Sequence, residues 1–152
     1  MIFCLYISMQ LLGAPTPQLL QQMDWEALTH RSLGAHVYDL TPAETKEISL
    51  IFKRKISDRW KSLQLRLIKL NPRDKRGLRK ALVKTKSGKK VELILVTSPQ
   101  SNRYKDLWIG KGYKLSSAIA FSIQAQLKKR NFSELIKSLK ADDTSLFLSS
   151  AP

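Results

Sequence analysis

One cysteine, Cys4, stands in 152 residues, so the chain can form no internal disulfide and holds too few thiolates for a cysteine-based zinc site. Histidine is almost as scarce. His30 and His36 lie six residues apart with Gly34 between them, a spacing that puts them on different faces of a helix. No nucleophile elbow and no glycine fingerprint for a dinucleotide occurs. Ser87-Gly88-Lys89-Lys90 lacks the first glycine and the closing Ser or Thr of a phosphate loop, and reads as a hairpin turn. The sequence therefore predicts no cofactor and no metal, and favours a non-enzymatic role.

Long apolar runs are missing too. The apolar stretch 1–14 falls short of the roughly 20 residues that span a bilayer. It also lacks the basic n-region of a secretory signal and is broken by Gln10. Residues 1–17 read as an apolar N-terminal segment ending in the stiff Ala14-Pro15-Thr16-Pro17 link, with Met9 as an alternative start. A cytoplasmic location is the expectation.

The most informative scarcity is of carboxylates. The net charge of +15 is not spread along the chain. Residues 1–50 carry two basic and five acidic side chains, and residues 131–152 carry two and three. Residues 51–130 carry 23 basic side chains against Asp58, Asp74, Glu92 and Asp106. Segregated positive charge attracts polyanions and repels itself when nothing neutralises it. Nucleic acid is the expected partner, with RNA slightly ahead of DNA. An acidic protein partner, or self-assembly through the acidic first third, is the alternative. A nuclease assembled from those four carboxylates is a third reading, which their spacing does nothing to promote.

Hydrophobic residues make up 43% of the chain, which fits a folded domain, expected over 18–140 with a loose tail at 141–152. Leu19, Leu20, Met23, Ala27 and Leu28 predict a helix over 18–33 that stops at Gly34. Thr41 and Glu44 form a capping box, with Pro42 at the first helical position, for a long helix with the stripe Ile48, Phe52, Ile56, Trp60, Leu63 and Leu67. From Leu63 the pattern also alternates, so a strand can take over near Ser62. Asn71-Pro72 is a break.

Strands are predicted over 78–85 and 91–97 around an 86–90 turn, and a third from Leu107. The 91–97 strand is apolar on both faces, which predicts a central strand with the long helix on one side and the C-terminal helix on the other. Ser116 or Ser117 is expected to cap a helix running to Arg130, and Asn131 with Glu134 opens a last short helix. The predicted class is α+β, in the order α-α-β-β-β-α-α, with three to four antiparallel strands.

The candidate binding residues are cations interleaved with aromatics: Arg76 and Arg79 near the 71–77 turn, and Lys86, Lys89 and Lys90 at the hairpin tip. Arg103, Tyr104, Lys105, Lys111, Tyr113 and Lys114 flank the third strand. Cations neutralise phosphates, and tyrosines can stack on bases. Together these residues are expected to form one surface.

Two resemblances accompany this reading. Ala27-Leu28-Thr29-His30-Arg31-Ser32 resembles a short helix signature of ribonuclease III domains over six residues. That family's acidic catalytic helix has no counterpart, since 40–51 carries only Glu44 and Glu47, so no catalysis is implied. The order helix, three antiparallel strands, helix is similar to the plan of double-stranded-RNA-binding domains, whose final helix starts with cations that touch phosphates. Residues 110–118 supply Lys111 and Lys114 but not that family's paired lysines, and the helix before the strands is too long for the plan.

Overall fold

The computed structural model describes residues 16–99, 101–110 and 113–141. Helix α1 (Thr16–Gln21) and helix α2 (Trp25–Leu33) divide the single helix expected over 18–33. The break is tertiary. Met23 bridges to Tyr104, Asp24 N–H donates to the Tyr104 carbonyl, and Tyr104 N–H donates to the Gln22 carbonyl. These bonds divert backbone groups that an unbroken helix would keep for itself. Asp24 then caps α2 by accepting from Ala27 N–H at 3.0 Å. Gly34, at φ 57°, stops α2 as expected, and a 3₁₀ turn (Gly34–Asp39) follows.

Helix α3 (Pro42–Ser62) opens on the predicted capping box. Thr41 N–H donates to Glu44 Oε2 at 2.8 Å, and Glu44 N–H donates to Thr41 Oγ1 at 3.2 Å. Ile48, Phe52, Ile56 and Trp60 of its stripe are buried, whereas Leu63 is exposed beyond its end. Gln64, at φ 49°, turns the chain out of the helix.

The sheet has five strands, not three or four: β1 (Arg66–Leu70), β2 (Leu78–Lys84), β3 (Lys90–Thr97), β4 (Tyr104–Ile109) and β5 (Tyr113–Lys114). They are antiparallel neighbours in sequence order. The alternation after Leu63 is real strand β1, and the glycine at 110, with φ 62°, lets the chain fold back into the two-residue β5. β3 is the central strand, as expected.

One face of the sheet supplies Leu67, Ala81, Val83, Leu93, Leu95 and Leu107 to a single core. The same core takes residues of α2, α3, helix α4 (Leu115–Leu127) and helix α5 (Phe132–Lys140). Both the long helix and the C-terminal helices therefore pack on the same side. The sandwich expected from the doubly apolar β3 does not form, and Leu82, Ile94, Val96 and Trp108, on the opposite face, lie outside the core and are half-buried.

Neither Ser116 nor Ser117 caps α4 with its side chain; Lys114 stands at that position and makes no side-chain cap bond. Asp106 of β4 does the work, accepting from Ser116 N–H at 3.2 Å. α4 ends at Leu127, so Lys128, Lys129 and Arg130 lie after it and not in its last turn. The second capping box, between Asn131 and Glu134, opens α5 as predicted.

Candidate nucleic-acid interface

Register fixes where the predicted binding residues stand. Antiparallel neighbours send the β2–β3 turn to one end of the sheet, and the 71–77 turn and the start of β4 to the other. Lys86, Lys89 and Lys90 share the first end; Arg76 and Arg103 share the second. With a rise of about 3.3 Å per residue, a seven-residue strand separates the two groups by roughly 20 Å. The candidates therefore do not form one compact patch. Lys111 lies outside the described residues.

Each group has its own environment. At the hairpin, Gly88 takes φ 89°, Gly88 N–H donates to the Thr85 carbonyl, and Lys89 N–H donates to Thr85 Oγ1 at 3.2 Å. The turn is held by Thr85 and leaves Lys86, Lys89 and Lys90 exposed. At the opposite end Asp74 accepts from Arg76 N–H at 2.8 Å and Leu78 N–H at 2.9 Å. The Leu78 bond first, and then Arg76, hold the Asp74 carboxyl below its ordinary range. Arg76 Nη2 sits 3.6 Å from Asp74 Oδ2, so this cation already has a counter-charge.

Two expected contacts are structural. Tyr104 is only 3% exposed and cannot stack on a base. Its hydroxyl accepts from Arg79 Nη1 at 3.3 Å, while Arg79 Nε donates to the Asn71 carbonyl at 2.7 Å. Arg79 is half-buried and braces the turn before β2. Sequence periodicity cannot reveal this, because the register that sets Arg79 on the core face depends on the sheet. Lys105 is the extra residue of a bulge: Val96 pairs with Asp106 and Thr97 with Tyr104, leaving Lys105 unpaired and half-exposed. Tyr113 is 43% exposed on the edge strand. Lys114 Nζ lies 5.2 Å from the centre of the Trp108 ring, a cation–π pair.

The open sheet face carries further cations beyond the predicted binding residues. Arg66, Lys69, Lys80 and Lys84 are exposed there, in register with Leu82, Glu92, Ile94 and Trp108. Their signal was present in the alternation of cations with apolar residues, but only the pairing gathers them. A separate groove of about 330 Å³ between α1 and α3 is lined by Leu20, Leu50, Lys53, Arg54, Asp58 and Lys61.

The four carboxylates of the basic segment do not meet. Asp74 closes a turn, Glu92 lies on the open sheet face, Asp58 is on α3, and Asp106 is buried against Ser116 and Arg31. Among the described residues, no three His, Cys, Asp or Glu side chains gather as a metal site. Nor, among them, is any helix long and apolar enough to cross a membrane.

No protein-family model matches this chain, and no curated protein matches it.

Proposed function

We propose that this chain is a non-catalytic nucleic-acid-binding module that grips phosphates rather than reads bases. The observation that carries the reading is charge segregation: 23 cations against four carboxylates over residues 51–130. One of those carboxylates is buried and a second already faces Arg76. Lys86, Lys89 and Lys90 at the hairpin, Arg103 and Lys105 at the far end, and Lys80 and Lys114 on the open face supply the contacts, with Lys111 as a further candidate. Tyr113 is the one predicted stacker that remains exposed, so sequence preference is expected to be weak.

Fluorescence anisotropy with single-stranded RNA, duplex RNA and duplex DNA near physiological salt tests this directly. Retained binding, tightest for an RNA, is the expected result. Failure to bind any of the three overturns the reading.

A second reading has its own observation. Leu82, Ile94, Val96 and Trp108 are half-buried on a face no described helix covers, interleaved with lysines. An acidic, amphipathic protein segment complements such a face in both charge and apolar area.

A further inference from the structure

Paired residues in an antiparallel sheet point to the same side. Arg66 pairs with Lys84, and Lys84 pairs with Lys90. Three cations therefore stand side by side on the open face, across three adjacent strands. All three are exposed, and among the described residues none has an ion-pair partner. Directly opposed side chains start about 4.5–5.5 Å apart, and like charges in that position destabilise a sheet. Lys86 and Lys89 crowd the same end from the hairpin.

A sheet that concentrates repulsion in one row gains stability when an anion of matching spacing lies along it. The neighbouring rows change character. Lys69, Leu82 and Glu92 come next, and Lys80, Ile94, Trp108 and Lys114 follow. The face thus grades from a cationic rim to a half-buried apolar floor. No described helix rises from it to enter a duplex groove. Sheet platforms that hold single strands seat phosphates on cations and stack bases on aromatic side chains, and Trp108 stands on this face beside Ile94.

Resting on the nucleic-acid reading above, we infer that the row Arg66–Lys84–Lys90 is the phosphate track for a single strand that crosses the sheet perpendicular to β1–β3. The bases lie toward Leu82 and Ile94. This makes Arg66 and Lys84 binding residues and gives the site a preference for single strands over duplexes.

The test compares three proteins: wild type, the triple variant Arg66→Gln, Lys84→Gln, Lys90→Gln, and an equal-charge control on the helical side, Lys128→Gln, Lys129→Gln, Lys137→Gln. Each is titrated with a labelled uridine oligomer, a duplex RNA and a duplex DNA over a salt series, after circular dichroism has shown that it folds. Wild type is expected to prefer the single strand. The row variant is expected to bind at least tenfold more weakly, with the log–log salt slope shallower by about 2, because three contacts of roughly 0.7 each are gone. The control is expected to keep the wild-type slope. If the row variant misfolds, Lys84→Gln alone replaces it, with an expected loss of about 0.7 in slope. Wild-type binding with an unchanged slope in the row variant, an equal loss in the control, or a preference for duplex overturns the track while leaving the broader reading standing. Absence of wild-type binding to either RNA, with duplex DNA also unbound, overturns both.

Discussion

Asp106 on β4 accepts hydrogen bonds from both the backbone N–H, at 3.2 Å, and the hydroxyl of Ser116, ten residues later at the start of α4. The carboxylate is fully buried and also meets Arg31 Nε at 3.2 Å, so one side chain ties α2, the sheet and α4 together. It holds a position that a capping serine would otherwise fill. Asp106→Ala leaves the Arg31 cation and two Ser116 donors without their acceptor. Breaking a buried charged pair by removing one partner costs about 3–5 kcal/mol, and the partial exposure of Arg31 puts this site at the low end. Ser116→Ala removes only the hydroxyl and is expected to cost about 1 kcal/mol. Urea unfolding measures both.

Arg79 and Lys89 set a structural cation beside one proposed to bind. Arg79→Gln removes the bonds to the Asn71 carbonyl and the Tyr104 hydroxyl, and is expected to lower stability by about 1–2 kcal/mol. Lys89→Gln changes an exposed side chain at the hairpin and is expected to leave stability within about 0.5 kcal/mol while weakening RNA binding. Thermal unfolding paired with anisotropy on each variant checks the split.

The fold is expected to weaken in acid. Glu44 is held below its ordinary range by the Thr41 backbone and side chain, and Asp74 chiefly by the Leu78 N–H. For a carboxyl whose folded pKa is depressed, the stabilisation is present above the unfolded pKa and is lost as pH falls through the folded value. Urea midpoints should hold from neutral pH down to about 5 and decline below about 4. Asp74→Asn should flatten part of that decline and lower the midpoint at neutral pH. A midpoint that rises between pH 5 and pH 3 contradicts both assignments.

The Asn131 cap of α5 is open to a plain test. Its Oδ1 accepts from Glu134 N–H at 2.9 Å. Asn131→Ala is expected to cost about 1 kcal/mol, read by thermal or urea unfolding, with no change in RNA binding.

Local signals were legible where one stretch of chain decides the outcome. Thr41 with Glu44, Asn131 with Glu134 and Gly34 each stand where the sequence put them, and the hairpin turn lies one residue earlier, at 85–89, with Lys90 already in β3. What failed to show is tertiary. The α1–α2 break needs Tyr104, 81 residues beyond Met23, to claim the backbone of Gln22 and Asp24. The α4 cap needs Asp106 instead of an adjacent serine. β5 is two residues long, too short for any alternation to mark it. The apolar second face of β3 predicted a covering layer, and the helices instead share the first face. Candidate binding residues suffered the same limit. Sequence proximity joined Arg79 and Tyr104 to the basic set, whereas register turned them inward and gathered Arg66, Lys84 and Lys90 on the outside.

The affinity of the wild-type protein for single-stranded RNA across a salt series decides whether the basic face grips phosphates. With about five phosphates neutralised, the log–log slope is predicted to lie near −3.5 for a single strand. A flat response, or binding that vanishes equally for every nucleic acid well below physiological salt, contradicts the account and moves the basic face to an acidic protein partner.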